Sequence, residues 1–270
     1  MIGLIIIGDE ILSGRRQDKH LAKAIELLGE RGMAVSWARY VGDDPERITA
    51  DLRHALDSGD VVFSFGGIGA TPDDHTRACA ARALGAELAL HPEARELILA
   101  RCRQLAEEEG KPFEPDSADT QRRLQMGHFP QGASIIPNPY NQIPGFSLLG
   151  RVHFVPGFPV MAWPMMAWVL DTLHADLHGR GRLAEKAVVV YGAIESVLTP
   201  LMLEIEARFA PVKVFSLPSV DHPVHGRHIE LGVKGAHDQV EAAFSEMLAG
   251  LSSIGASLGP ILVQKSPQPH

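Results

Sequence analysis

The 270-residue sequence holds only two cysteines, Cys79 and Cys102, both in helix-like stretches and neither at a metal-ligand spacing. That excludes a disulfide framework and makes a reducing, cytoplasmic compartment the expectation. Basic residues are also in deficit: Lys and Arg total 25 against 33 Asp and Glu, a net charge of −8. Nonspecific nucleic-acid binding needs a basic face, so no nucleic-acid partner is expected. Long hydrophobic runs are missing too. The opening "MIGLIIIGDE" has no basic n-region and is closed by Asp9 and Glu10, far short of the ~20 residues of a membrane span. It reads as a buried first strand. The stretch 155–173 is broken by prolines and reads as a core helix, so no membrane partner is expected either. Internal repeats and low-complexity blocks are absent. What remains, 45% hydrophobic and 21% charged residues, is the composition of a globular protein with a sizeable core.

Along the chain, Ile2 to Ile7 is a continuous β-rich run, and Asp18 precedes a helical pattern through Leu21, Ala24, Ile25 and Leu28 that Gly32 closes. A strand is expected over 34–41, a helix through Ile48, Leu52, Ala55 and Leu56, a strand over 61–65 and a helix over 73–84. This β-α-β-α-β-α order predicts an α/β fold with a mostly parallel sheet and helices on both faces. Two further helices over 93–110 and 117–126, a strand over 152–155 and a helix to about residue 178 complete a domain over 1–178. "HGRGRL" (178–183) is the best linker. A small α+β module with β-α-β-β-α order is expected over 184–258, and 259–270 is expected to be a disordered tail.

The most informative stretch is "GGIGATPDDHTR", Gly66 to Arg77, between a buried strand and a helix. Gly66, Gly67 and Gly69 let the backbone turn sharply and approach a ligand, and N–H groups at the helix start favour an anion. Two familiar phosphate motifs fail on spacing. Position 72 is proline where a dinucleotide fingerprint needs its third glycine, and no Gly-Lys-Ser/Thr is present for a Walker loop. Thr71 as N-cap, Pro72 at N1 and Asp74 at N3 form a capping-box variant, and capping alone would account for Asp74. The functional reading pairs Asp73 and Asp74 with a Mg²⁺ or similar divalent ion, because such a cation reconciles adjacent carboxylates with a phosphorylated ligand.

Two other strand ends carry the same signature, Gly8-Asp9-Glu10 and Gly42-Asp43-Asp44. Asp44 before Pro45 reads as a helix N-cap, whereas Asp9 and Glu10 have no capping role in prospect. Asp9 and Asp74 are therefore the metal candidates from the residues themselves, and Gly8, Gly66, Gly67, Gly69, Thr71 and Asp73 the ligand-binding candidates. "VPGFP" (155–159), with Gly157, is a fourth strand-to-helix turn. Asn138 and Asn141 in "PNPYNQIPGF" either read a ligand or support turns. Glu10 and His75 are the nearby candidate general bases. His75 belongs to a first helical turn, where the helix dipole disfavours its protonated form. The His-rich "DHPVHGRH" (221–228) fits no common metal spacing and is expected as an exposed hairpin loop.

"GDEILSG" (8–14), "VGDD" with Ile48, "GGIGATPDDHTR", "PNPYNQIPGF" and "VPGFP" together resemble the molybdopterin-binding domain family over about residues 1–175. That family includes the N-terminal part of competence/damage-inducible protein A. "VYGAIESVLTPLMLEIEARF" and "SLPSV" resemble the module that follows it there. The resemblance implies a pterin or nucleotide pyrophosphate ligand, a homo-oligomer, and metal and phosphate handling by Asp9, Asp43, Gly66, Gly67, Asp73 and Asp74. Two departures stand out: the family's Asp-Thr-Asn is Asp18-Lys19-His20 here, and its "PG-x-P-Ser-Glu" turn is "PGFPVM". An amidase region is not expected within these 270 residues. Three functions follow: binding of molybdopterin or a nucleotide-pterin, metal-dependent hydrolysis of ADP-ribose or another nucleotide pyrophosphate, or a non-catalytic module with a decayed site. The lost polar groups favour the third and the retained aspartates the first two.

Overall fold

The computed structural model describes residues 1–179 and 184–263, and the chain separates into two compact units, Met1–His178 and Gly179–His270. The first runs β1 (Ile2–Ile7), α1 (Asp9–Leu12), α2 (His20–Glu30), β2 (Trp37–Val41), α3 (Pro45–Ser58), β3 (Val61–Phe65), α4 (Thr76–Leu84), β4 (Leu88–Leu90), α5 (Pro92–Glu108), α6 (Ala118–Gln125), β5 (His128–Pro130), β6 (Ser134–Ile136), β7 (Gly145–Leu148), β8 (Val152–Val155) and α7 (Pro159–Thr172), then a 3-10 turn, Ala175–Leu177. Six strands form one sheet in the order β2-β1-β3-β8-β7-β6. The first four are parallel, and β7 and β6 extend the sheet as an antiparallel meander.

Strand periodicity divides the core. Ile5 and Ile7 of β1 face a layer with Ile48, Leu52, Ala55, Cys79 and Ala80 from α3 and α4. Leu4 and Ile6 face the opposite layer with Ala24, Leu28, Met165 and Val169 from α2 and α7. Every residue of β1 is buried, as a strand covered on both faces requires. The mostly parallel α/β architecture expected from the sequence is thus observed.

Boundaries differ in instructive places. The helix expected from residue 73 begins at Thr76, because Thr71, Pro72 and Asp73 form a separate turn ahead of it. A one-turn helix, α1, stands directly after β1, ahead of the helix that Asp18 announces. Asp18 still caps α2, accepting the N–H groups of His20 (2.8 Å) and Leu21 (3.2 Å). Asp44 caps α3 through Glu46 N–H and Arg47 N–H, with Pro45 at its start.

The second unit runs β9 (Ala184–Tyr191), α8 (Glu195–Arg208), β10 (Lys213–His222), β11 (Gly226–Gly235), α9 (His237–Ser253) and β12 (Ser257–Val263). Its antiparallel sheet has the order β10-β11-β9-β12. Val188, Val190, Ile229, Leu231 and Val233 pack on Leu198, Ile205, Val240, Phe244 and Met247 of the two helices. The last strand corrects the expected tail. Residues 259–263 belong to β12, where Leu258 and, beyond a register shift, Ile261 and Leu262 pair with β9. Residues 264–270, and positions 180–183 of the expected linker, lie outside the described residues. Among the described residues, no helix is long and apolar enough to cross a membrane.

Candidate functional site

The four turns singled out in the sequence follow four neighbouring parallel strands. Gly8–Glu10 follows β1, Gly42–Asp44 follows β2, Gly66–Thr71 follows β3 and Gly157 follows β8. The chain leaves β1 for β2 on one side and returns to β3 on the other. A topological switch point therefore lies between β1 and β3, at the carboxyl edge where open α/β sheets hold ligands.

Close backbone approach explains the glycines there. Gly66 has φ 99°, and a Cβ on it would lie 2.5 Å from the Ile7 carbonyl oxygen. Gly67 has φ 68°, and a Cβ would lie 2.1 Å from Thr76 Oγ1. The Gly157 turn packs against Gly66, with a virtual Cβ 3.4 Å from the Gly66 Cα.

The start of α4 fixes the loop through its carbonyls. Thr76 Oγ1 donates to Gly66 O (3.0 Å) and Thr76 N–H to Gly67 O (2.9 Å). The Arg77 guanidinium donates to Ile68 O and to Gly69 O. In a planar trans peptide the C=O of one residue and the N–H of the next point in opposite directions. Anchoring four consecutive carbonyls on α4 therefore turns the N–H groups of Gly67, Ile68, Gly69 and Ala70 away from it. Among the described residues, none of these four N–H groups has an acceptor. Successive main-chain N–H groups left free in this way are chemically suited to an anion.

Acidic groups stand beside it. Asp9 N–H donates to Asp43 Oδ2 (2.9 Å) and Asp43 N–H to Asp9 Oδ1 (3.2 Å), so the two turns exchange a reciprocal pair of hydrogen bonds. A cleft of about 420 Å³ lined by Asp9, Glu10, Leu12, Ser13 and Arg15 opens there. Burial pushes the Asp43 carboxyl up, and the charges of Asp9, Glu10 and Asp73 add to the shift. Hydrogen bonding from the Thr71 side chain and from the Asp73 N–H holds the Asp73 carboxyl below the usual carboxylate range.

Asp74 stands apart from the Asp9–Asp43 pair. Its Oδ2 accepts the N–H (2.8 Å) and hydroxyl (2.5 Å) of Thr71, closing the turn before α4. Among the described residues, no three His, Cys, Asp or Glu side chains surround one point as a ready metal site. Glu10 folds back over Gly8, where a Cβ would meet its carboxylate at 2.5 Å. His75 is the N-cap of α4 without a side-chain capping bond. Among the described residues, neither Glu10 nor His75 makes a side-chain hydrogen bond. Asn138 lies at the same sheet edge but spends its amide on the turn it begins, donating to Asn141 Oδ1 (2.7 Å) and Ile143 O (2.9 Å) and accepting from Tyr140 N–H (3.1 Å). Asn141 accepts from Ile143 N–H, so both asparagines support the turn.

Three contributors were not predicted: Thr76, Arg77 and His20. The first two were visible as the end of the quoted motif, with no rule to say that they would hold carbonyls. His20, buried at the start of α2, stacks on Phe65 with ring centres 4.6 Å apart, and its Nε2 lies 3.0 Å from Gly157 O. It ties the β8 turn to the end of β3, and burial lowers its pKa.

The sequence profile of the family described as "Probable molybdopterin binding domain" matches residues 3–175. The chain belongs to this family. All four strand-end turns of the molybdopterin-binding-type domain lie inside the match. A CinA-like protein of Syntrophotalea carbinolica is 34% identical over 198 residues, covering 72% of this chain and 46% of that one. A protein of Caldivirga maquilingensis is 31% identical over 266 residues, 95% of this chain and 97% of that one. Among solved structures, the protein CinA of Thermoplasma acidophilum, whose function is described as unknown, is 27% identical with a TM-score of 0.52, covering 64% of this chain and 98% of that one. The chain spans less than half the length of the Syntrophotalea CinA-like protein and nearly all of the Caldivirga one.

Proposed function

We propose that the first unit binds a phosphorylated pterin or nucleotide, with phosphate oxygens accepting from the Gly67–Ala70 N–H row. The unpartnered row carries this reading: four donors at a switch point, with the carbonyls of Gly66, Gly67, Ile68 and Gly69 anchored on α4. The membership of a family described as a probable molybdopterin binding domain supports the pterin. The acidic neighbours would repel a bare phosphate. A divalent cation such as Mg²⁺ would neutralise charge between phosphate and carboxylate. Asp9, Asp43 and Asp73 fit that role, because burial raises the Asp43 carboxyl and the charges of Asp9, Glu10 and Asp73 add to that shift, against the opposing hydrogen bond from Asp9 N–H. Asp74 fits it poorly, being engaged with Thr71.

Calorimetric titration of the full chain with a phosphorylated pterin, AMP and ADP-ribose, each with Mg²⁺ or with EDTA, tests the reading. Saturable binding is expected with Mg²⁺ and a large loss in EDTA. Arg77→Met, which releases the Ile68 and Gly69 carbonyls, should weaken binding about tenfold, the scale of one or two charge-assisted hydrogen bonds. Absence of binding by all three ligands would sink the proposal, and equal binding in EDTA would remove the cation from it.

Metal-dependent cleavage of a nucleotide pyrophosphate is the second reading. It rests on the same carboxylate group, since such hydrolysis needs a held diphosphate and a positioned water. Glu10 and His75 are the groups within these turns that could take the water's proton. Release of AMP from ADP-ribose, lost in Asp43→Asn, would establish turnover. Binding without release would leave a binding protein.

A further inference from the structure

The β10–β11 hairpin closes through Pro223, Val224 and His225, in the stretch expected to be a plain exposed loop. The register pairs Tyr191 with His228 and Val189 with Glu230, while their neighbours Val190, Ile229 and Leu231 face α8 and α9. Strand alternation therefore puts His228 and Glu230 together on the helix-free face. His228 is nonetheless only 3% exposed. The His222 and His225 rings pack on it, with centres 5.2 and 5.6 Å from its own and 4.9 Å from each other.

The hydrogen bonds decide which nitrogen is available. His228 Nδ1 lies 2.9 Å from Gly226 O, a pure acceptor, so Nδ1 carries the proton and the lone pair of the neutral ring sits on Nε2. That Nε2 is buried and has no hydrogen-bond partner. Facing it at 3.6 Å is Glu230 Oε1, another acceptor. Two ligands on one tetrahedral ion with bonds of ~2.0–2.2 Å sit roughly 3.4 Å apart, and imidazoles sharing such an ion have ring centres about 5 Å apart. His225 has its Nδ1 3.1 Å from the Tyr191 hydroxyl, an outer partner that would leave Nε2 to a metal. His222 does something else. Its Nδ1 accepts the N–H groups of Val224 (3.3 Å) and His225 (3.1 Å), shaping the turn that carries His225.

We propose that His225, His228 and Glu230 bind a divalent transition-metal ion of the zinc class, with a fourth position open to solvent. His228 and Glu230 are the preformed pair. No three donors yet surround one point among the described residues, so the half-buried His225 ring swings onto the pair as the ion binds. This site is independent of phosphate binding in the first unit.

The test uses the full chain without a histidine tag, titrated with zinc(II) and, as a spectroscopic stand-in, cobalt(II). One equivalent should bind, and cobalt should show the intense visible absorption of a tetrahedral site. His228→Gln and Glu230→Gln should each weaken binding at least about tenfold, as expected when a ligand is removed, while His54→Gln, an exposed histidine of α3, should bind as the unaltered chain does. Circular dichroism checks that each variant folds. Should His228→Gln fail to fold, Glu230→Gln, on a half-exposed side chain, carries the test. Zinc binding that survives both substitutions would overturn the proposal in favour of adventitious surface imidazoles. No binding at all, together with a lower melting midpoint for Glu230→Gln, would overturn it in favour of an imidazolium–carboxylate ion pair.

Discussion

At the strand ends of the first unit the polar atoms on offer are main-chain N–H groups, aimed by the carbonyls bound behind them. On the open face of the second unit's sheet they are imidazole and carboxylate atoms, placed by strand alternation. The two constructions fail differently. A main-chain site has few side chains to delete, so it is vulnerable through glycines that permit its path and through the residues that hold its carbonyls. A side-chain site can lose one ligand and keep its fold. All three tryptophans, Trp37, Trp163 and Trp168, lie in the first unit, so tryptophan fluorescence reports that unit's melting alone.

The largest effect expected is at Gly66. Gly66→Ala puts a Cβ 2.5 Å from the Ile7 carbonyl oxygen at φ 99°, a collision with backbone in a conformation L-residues avoid. It should cost about 2–4 kcal/mol and lower the fluorescence-detected midpoint by about 5–10 °C. An unchanged midpoint would show that β1 and β3 can part without penalty, and the contrast between the units would collapse.

Acid comes next. Burial drives the His153 pKa down to about 3 and lowers those of His174 and His20. His153 Nδ1 lies 2.7 Å from Ser147 Oγ and its Nε2 lies 2.7 Å from His174 Nε2, inside the first unit. His153 stays neutral when folded down to about pH 3 and takes up a proton on unfolding below about pH 6.5, and the lowered values of His174 and His20 act in the same direction. Stability is therefore held above that pH and lost below it, by up to about 1.4 kcal/mol per pH unit for each group. Fluorescence-detected unfolding between pH 7 and 4.5 should show that slope, and His153→Gln should flatten it. A pH-independent midpoint across that range would refute neutral burial.

Smaller effects separate neighbouring aspartates. Asp44→Ala should cost about 1 kcal/mol, the value of an N-cap, and leave ligand affinity unchanged. If affinity fell with it, Asp44 would belong to the site. Asp43→Asn should do the reverse. Removing a carboxylate whose ionised form is disfavoured should stabilise the fold by less than about 1 kcal/mol after solvent screening, raising the melting midpoint slightly, while weakening Mg²⁺-dependent binding. A lower midpoint would mean that the reciprocal Asp9–Asp43 bonds outweigh the repulsion.

Much of the first unit was legible because β1, β3 and β8, buried on both faces, leave unmistakable apolar runs, and parallel strands end at one common edge, which the half-exposed β2 shares. Gly8, Gly42, Gly66 and Gly157 could be placed on that edge without coordinates. The start of α4 was not legible, because Thr71-Pro72-Asp73-Asp74 satisfies the pattern of a helix cap and of a free-standing turn equally well. Asn138 carried no signal separating ligand contact from turn support. His20 showed only as a departure from a family pattern, since its stacking on Phe65 and its bond to Gly157 join three distant stretches. The imidazole cluster escaped because 221–228 reads as an exposed loop, which hides that His228 and Glu230 alternate along one strand, β11, right after the turn that holds His225.

The anchoring of the Gly66–Gly69 carbonyls on Thr76 and Arg77 also has a kinetic consequence. Under the proposed function, an arriving phosphate would break no hydrogen bond between loop and protein, because among the described residues the four N–H groups have no protein acceptor. Association then has no internal rearrangement to wait for, and its rate is set by encounter. That rate should fall as solvent viscosity rises. It should also respond to ionic strength in the direction given by the acidic surroundings: for an anionic ligand without a divalent cation, added salt should speed capture by screening the repulsion it meets on approach.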